Sequence, residues 1–365
     1  MEIFTRILEG AIVAGASDVH LKVDGPVIFR VSGELVPVEA PHPTAEWLDS
    51  ILSKIVPEHL QEKLQREHEV DFAYAVSGGG RFRVNVFQQR GGHVIAMRLV
   101  KAQVRGFEEL HLPSVIRRTA EAPHGIVLLT GATGSGKSTT LAAMVEHINI
   151  TAKRHIITLE DPIEYLFQDK LSVIEQREVG IDTVSYASGL KNVLRQDPDV
   201  IVIGEMRDSS SVAAAISAAN TGHLVIATLH TVDAGKSVQR ILEFFPGSDR
   251  EPVRQQLATT LHAVICQILV RTPKYEIIPA VEVLINTAAV AKLIHSGTLE
   301  KLTAAIELGV GDGMQTFDQA LYDLVKAGTI TQEEALSNSP SAEALKMRFQ
   351  GVILSESRRI LNARG

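Results

Sequence analysis

Gly131-Ala132-Thr133-Gly134-Ser135-Gly136-Lys137-Ser138-Thr139 fits the phosphate-loop pattern G-x-x-x-x-G-K-[ST] at every fixed position. The run before it, Gly125-Ile126-Val127-Leu128-Leu129-Thr130, reads as a short buried strand. The run after it, Thr140-Leu141-Ala142-Ala143-Met144-Val145, reads as a helix. Strand, loop and helix therefore come in the order the motif demands, which a chance glycine-rich turn would not supply. In such a loop the glycines let backbone N–H groups converge on phosphate oxygens, and the helix N-terminus adds partial positive charge. Lys137 would reach the β- and γ-phosphates and Ser138 would ligate Mg²⁺. ATP with Mg²⁺ is the expected ligand, and all nine residues of the loop are candidates to hold it.

Three further polar clusters follow or flank apolar strands downstream. Thr158-Leu159-Glu160-Asp161-Pro162-Ile163-Glu164-Tyr165 places carboxylates just past a buried strand. Acids there are costly unless they face a cation, a water or a partner charge, so Glu160 and Glu164 are candidates, Glu160 also for the metal. In Asp199 to Asp208 an apolar strand, Val200–Ile203, is followed by Gly204 and then Glu205. Glu205 is the candidate to orient or deprotonate the attacking water and to help hold the metal. Thr221 to Thr231 carries His223 before a strand and His230 after it. His230 falls on the loop's side and is a candidate γ-phosphate sensor, directly or through Glu205. His223, at the other end, is either structural or part of an interface.

Hydrolysis also needs positive charge at the transition state. Arg195 and Arg207 are available nearby. Arg81 and Arg83 share one face of a strand by its period of two, and Arg98 lies on a neighbouring strand. That face is either a solvated basic surface or a donor of arginines to a neighbouring subunit's nucleotide.

The whole chain has 365 residues, 45% hydrophobic and 22% charged, so two domains of ordinary globular composition are expected. The net charge of −7 argues against nucleic acid as the main partner. The single cysteine, Cys266, can form no internal disulfide, which suits a reducing cytoplasm, and it excludes a cysteine-based zinc site within the chain. No apolar run approaches the ~18 residues of a membrane span, and the N-terminus lacks a basic-then-apolar signal. No direct membrane insertion is expected, so any membrane association would come through partner proteins.

Patterning divides the chain. Helices are expected at Ile3 to Ala14, ended by Gly15, at Thr44 to Val56 with Thr44 as N-cap, and at Pro57 to Glu67. Alternating strands are expected from Ser17, at Val27–Val31 and Leu35–Val38 around a Ser32-Gly33-Glu34 turn, at Asp71–Val76, Arg81–Phe87 and His93–Leu99, with a turn at Gly78-Gly79-Gly80. Residues 1–100 thus form an α+β domain on an antiparallel sheet, and 101–114 read as a linker. From 115 to 365 helices alternate with continuous apolar strands, the α/β signature of a parallel sheet covered on both faces. The strands are Ile126–Thr130, His155–Leu159, Val200–Ile203, Leu224–Thr228, Ala263–Val270 and Ile277–Leu284. From about Thr287 the pattern is helical, with a break at Gly309–Gly313.

Taken together, these segments resemble the secretion ATPase superfamily of type II secretion and type IV pili, and within it the twitching-motility retraction ATPases of the PilT type. The resemblance rests on Gly15–Leu21, Arg81-Phe82-Arg83-Val84-Asn85, the phosphate loop, Glu160-Asp161-Pro162-Ile163-Glu164, Asp197 to Asp208 and Gly222 to Thr231, and it covers nearly the whole chain. It implies a PAS-like N-terminal domain, a RecA-like ATPase domain and a homohexameric ring whose sites are completed by a neighbour. It implies that the acidic segment is the family's Asp box, Glu205 its Walker B glutamate and His223 and His230 its His box. By resemblance the chain is cytoplasmic, peripheral to the inner membrane at a pilus base, where it drives retraction by moving a platform protein and works alongside other pilus ATPases. Extension and type II secretion members carry a tetracysteine zinc insertion, which one cysteine cannot build. Retraction members carry Ala-Ile-Arg-Asn-Leu-Ile where this chain reads Ala289-Val290-Ala291-Lys292-Leu293-Ile294. The departure points to an accessory or paralogous motor as the alternative. Other classes are a low-turnover nucleotide-dependent regulator, a small-molecule kinase and a DNA-transfer or type IV secretion ATPase. Glu205 speaks against the regulator; the histidine segment and the arginine-bearing domain speak against the kinase.

Overall fold

Alternation of apolar and polar residues dominates the first hundred residues, and it builds an antiparallel sheet. The computed structural model describes residues 1–76, 80–100 and 103–351. It divides into two units, Met1–Gln103 with Pro162–Leu166, and Val104–Asp161 with Phe167–Gly365.

The first unit runs α1 (Glu2–Val13), β1 (Asp18–Lys22), β2 (Val27–Val31), β3 (Glu34–Val38), α2 (Ala45–Ile55), α3 (Glu58–Glu67), β4 (Glu69–Val76), β5 (Gly80–Gln89) and β6 (Gly92–Leu99). Its six strands pair antiparallel in the order β3-β2-β1-β6-β5-β4. The α1 helix buries Phe4, Ile7, Leu8 and Ala11, and α2 buries Leu48, Ile51, Leu52 and Ile55. These side chains share one core with Val19, Leu21, Phe82, Val84, Val86, Ile95 and Met97 from the sheet. Thr44 caps α2 by accepting from Trp47 N–H at 3.2 Å, as expected of an N-cap. Ser32 and Gly33 both take positive φ between β2 and β3, the backbone a tight hairpin requires. Gly80 opens β5, while Gly78 and Gly79 lie outside the described residues.

The second unit runs α4 (Ser114–Ala120), β7 (Gly125–Thr130), α5 (Lys137–Thr151), β8 (His155–Glu160), β9 (Val173–Glu178), α6 (Tyr186–Val193), β10 (Val200–Ile203), α7 (Ser209–Asn220), β11 (Leu224–Leu229), α8 (Ala234–Glu243), α9 (Gly247–Thr260), β12 (Leu261–Arg271) and β13 (Ile277–Ile285). Helices α10 (Ala288–Ser296), α11 (Leu302–Leu308), α12 (Phe317–Lys326), α13 (Gln332–Asn338) and α14 (Ala342–Phe349) follow. The sheet order is β13-β12-β7-β11-β10-β8-β9, parallel throughout except for β13, which runs antiparallel to β12. Every residue of β7, β10 and β11 is buried. Ile126 and Leu128 face a core built with α6 to α11, whereas Val127 and Leu129 face one built with α4 and α5. Covering both faces is why these strands read as continuous apolar runs.

Two expectations need correction. The stretch expected to link the domains belongs, from Val104 on, to the second unit: Phe107, Leu110 and Leu112 are buried in its core with Val115 and Ile116. Their irregular spacing hid this, because a segment without helix or strand period still buries side chains. The sheet also has a strand that was not expected, β9, reading Val173-Ile174-Glu175-Gln176-Arg177-Glu178. It is an edge strand with mostly uncovered faces, so its charged composition carries no burial pattern.

Candidate active site

Parallel pairing of β7, β11, β10 and β8 puts the carboxyl ends of all four on one edge of the sheet. The phosphate loop leaves β7, Glu160 ends β8, Glu205 follows β10 by two residues and His230 follows β11 directly. Ligands of open α/β sheets bind at this edge.

The loop takes its shape from glycines and one buried amide. Gly131 and Gly136 have φ of +146° and +87°. A Cβ at Gly131 would lie 2.4 Å from the Gln267 carbonyl, and one at Gly136 would lie 2.6 Å from Gln267 Nε2. Gln267, on β12, donates through Nε2 to the Ser135 carbonyl at 2.7 Å and accepts from Thr140 Oγ1 at 2.8 Å. It thereby ties the loop to the first turn of α5. Lys137 is buried, and its Nζ donates to the carbonyls of Gly131 and Ala132 at 2.7 and 2.9 Å. Helices α6, α7 and α8 are capped by the side chains of Ser185, Asp208 and Asp233, whereas α5 starts at Gly136 with no side-chain cap. A helix N-terminus without a side-chain cap suits an anion, and Ser138 and Thr139 lie in its first turn. The loop residues thus fit a nucleotide phosphate by the chemistry of their donors.

The acids sit in two different settings. Glu160 is buried, and its Oε1 accepts from Thr158 Oγ1 at 2.7 Å and from Gln176 Nε2 of β9 at 3.1 Å. Glu205 is more open. Its Oε2 accepts from Arg207 Nε at 2.7 Å, and its Oε1 lies 3.3 Å from His230 Nε2. Arg207 also donates to Asp161 Oδ2 at 3.1 Å, so Asp161, Arg207, Glu205 and His230 form a chain of polar contacts across three strand ends. The hydrogen bond to Glu205 holds Arg207 above the ordinary guanidinium range. Burial, aided by the charge of Asp161, pushes the neighbouring Tyr186 phenol well up. Tyr186 also explains Gly204. A Cβ at Gly204 would meet the Tyr186 hydroxyl at 2.9 Å, Glu160 Cα at 3.2 Å and the Leu159 carbonyl at 3.2 Å. A side chain directly after β10 would crowd Tyr186 and the β8 backbone, and the acid comes one residue later, at Glu205.

Not every sequence candidate joins this group. Glu164 is exposed, in the segment Pro162–Leu166 that groups with the first unit. Arg195 is exposed. His223 lies at the opposite end of β11, where its Nδ1 sits 2.9 Å from the Ala218 carbonyl at the end of α7. Arg81, Arg83 and Arg98 belong to the first unit. There Arg83 of β5 stands directly opposite Arg98 of β6, Arg98 opposite Asp18 of β1, and Asp18 opposite Arg30 of β2. This ladder of charges crosses four strands on one face, and Arg98 Nε donates to Asp18 Oδ1 at 2.8 Å. Although burial opposes it, hydrogen bonds from Ser17 and Arg98 hold the Asp18 carboxyl below its usual range. Sequence reasoning missed Gln267, Thr158 and Gln176. Gln267 alone had a usable signal, an amide inside the apolar run Leu261 to Val270.

Residues 1–302 match the family described as "Type II/IV secretion system protein". The "Type IV pilus retractation ATPase PilT" of Pseudomonas aeruginosa is 39% identical over 331 residues, 91% of this chain and 96% of that protein. The "Type IV pilus ATPase PilU" of the same organism is 39% identical over 348 residues, 95% of this chain and 91% of that one. A crystal structure titled as the pilus retraction motor PilT with bound ADP superposes with a TM-score of 0.85 at 41% identity, covering 92% of this chain and 97% of that one.

Proposed function

The chain belongs to the type II/IV secretion system protein family, and from that premise we propose that it is an ATP-hydrolysing ring motor that powers type IV pilus retraction. The observation that carries the reading is the convergence of the phosphate loop, Glu160, Glu205 and His230 on one sheet edge, with Glu205 held between Arg207 and His230. The near full-length likeness to a pilus retraction motor that binds ADP supports it.

In this mechanism residues 131–139 bind the ATP phosphates, and Lys137 leaves its loop carbonyls to neutralise the β- and γ-oxygens. Mg²⁺, held by Ser138 with Glu160 and Glu205 on the same edge, would supply charge neutralisation at the phosphates. Glu205 orients the attacking water and takes its proton. His230, 3.3 Å from Glu205, reports the state of the γ-phosphate to the segment that leads into α8. Asp161 and Arg207 hold Glu205 in place. Arg81, Arg83 and Arg98 act on the nucleotide of a neighbouring subunit, which makes a homohexameric ring the working form, and Glu164 serves the same shared site. We read the first unit as PAS-like and the second as RecA-like. The motor works in the cytoplasm against an inner-membrane platform protein at the pilus base.

Light scattering on the purified protein is expected to give a ring, and mixing Arg83→Ala subunits with wild type should inactivate sites on neighbouring subunits. A strict monomer with full ATP turnover would refute the shared site. Accessory action beside another retraction motor is favoured as a second reading by one feature. Retraction members' arginine and asparagine are replaced on α10 by half-buried Ala291 and exposed Lys292. Expression in a cell lacking its retraction motor separates the two. Twitching restored by the wild-type chain supports the main reading. Restoration only by the Ala291→Arg and Lys292→Asn double variant supports the second.

A further inference from the structure

A second polar construction lies under the phosphate loop, on the strands away from Glu160 and Glu205. Glu282 of β13 stands opposite Cys266 of β12, Cys266 opposite Thr130 of β7, and Thr130 opposite Leu229 of β11. This row ends where the phosphate loop and His230 begin. Glu282, Cys266 and Thr130 are buried. Glu282 Oε1 accepts from the N–H of Ala234, the first residue of α8, at 2.9 Å. Phe317, at the start of α12, lines the same cavity as Glu282. Strand β13 is stitched to the residue before that helix: Val283 and Gln315 exchange backbone hydrogen bonds at 2.8 and 3.1 Å. Gln315 Nε2 adds one to the Val281 carbonyl at 2.9 Å. On the other side Thr231, next to His230, pairs with Ser237 of α8 at 2.7 Å.

We propose that Glu282 is a positioning residue: its carboxyl group holds the N-terminus of α8 to β13, the strand to which Gln315 ties the start of α12, so that the helical extension from α12 onward sets the placement of the His230 segment. This rests on the ATPase reading given above. An acceptor suits the position because the Ala234 N–H at the start of α8 points at it. The helix N-terminus favours the charged form. Burial opposes it and, with Asp233 nearby, raises the carboxyl to about 7. The closed arrangement therefore favours the protonated carboxyl, and the clamp loosens as pH rises through neutrality. The other charged or titratable groups around it are Cys266, Asp233 and Lys236, with Glu307, Asp318 and Arg348 across the cavity of about 750 Å³ that Glu282 helps line. Glu282 touches neither the loop nor Glu205. Its effect must pass through α8.

The test uses the full chain. Steady-state ATP hydrolysis is measured from about pH 5.5 to 8.5 for wild type and Glu282→Gln, and amide hydrogen exchange is followed in residues 231–238 and 315–320. In wild type kcat should fall through neutral pH, and protection of both segments, corrected for intrinsic exchange, should fall with it. In Glu282→Gln, which keeps an acceptor oxygen but cannot ionise, the fall in kcat and in protection should be absent, with KM changed less than about twofold. Glu282→Met, which removes both acceptor oxygens, should lower kcat about fivefold to tenfold and exchange faster in both segments at every pH. A wild-type pH limb that persists unchanged in the Gln variant overturns the proposal. So does exchange that changes in neither segment or in only one of them. If the variants do not fold, the pH dependence of exchange in wild type decides alone, and protection that does not fall through neutrality overturns the clamp. Failure of wild type to hydrolyse ATP at any pH refutes the ATPase reading instead, and the exchange measurement still decides whether the clamp exists.

Discussion

The two sheets of this protein use opposite strategies for carrying charge. In the first unit the sheet is covered on one face, so β5 alternates buried Phe82, Val84 and Val86 with Arg81, Arg83 and Asn85. Charge lies along the strands, in a ladder from Arg30 through Asp18 and Arg98 to Arg83. In the second unit the central strands are covered on both faces, and ionised groups are confined to strand ends. A sheet of the first kind offers a broad charged surface, open to solvent. One of the second kind gathers a few groups at a single edge, where burial and mutual contact make each strongly dependent on the rest. Substitutions at the second sheet's edge should therefore be severe, and those on the first sheet's face mild for the chain that carries them.

The largest effect is expected at Glu205. Glu205→Gln should keep nucleotide binding and lower kcat by about 10²–10⁴, the usual contribution of a general base, as read by phosphate release. Turnover like wild type would remove the proposed mechanism. Lys137→Ala should lower kcat by about 10²–10³ and weaken binding of a fluorescent nucleotide, since one donor to transition-state charge is lost. The buried acid of the second sheet should show in stability as well. Glu282 ionises at about 4.5 in the unfolded chain and at about 7 in the fold. The folded state holds its proton longer, so this contribution is full below pH 4.5 and is lost as pH rises to about 7. Denaturant titrations should show that loss, a few kcal/mol in all, and Glu282→Gln should abolish it. Gly204→Ala forces a Cβ against Tyr186 and the β8 backbone and should cost about 1–3 kcal/mol of stability.

At the mild end is Asp18→Asn. It removes the centre of the first unit's ladder, yet Arg98 is 72% exposed and screened by water. The loss should stay below about 1 kcal/mol in thermal unfolding. A loss above about 2 kcal/mol would erase the contrast between the two sheets.

Much of this was legible in the residues. Thr44 as cap, the continuous apolar strands and the nine-residue loop are local signals, set by spacing within one element. Less legible was the β9 edge strand, whose charged residues carry no burial period, and the role of Phe107, Leu110 and Leu112, which bury themselves without a regular element. Among the site residues, the spacing Ile203-Gly204-Glu205 was plain, but its cause was not. Only the fold shows Tyr186, Glu160 and Leu159 closing the space beside Gly204.

The sequence by itself determined the order of strand, phosphate loop and helix, the covered parallel strands, and the identities of Glu160, Glu205 and His230 as strand-end polar groups. Those depend on periodicity and on the backbone freedom of particular residues, both properties of neighbouring positions. The tertiary structure alone decided which distant groups meet. Gln267 pins a loop 132 residues away in sequence, Asp161 reaches Arg207, and Glu282 binds the start of α8. Such pairings are set by strand order and register. Those are properties of the whole sheet, and no window of the sequence contains them.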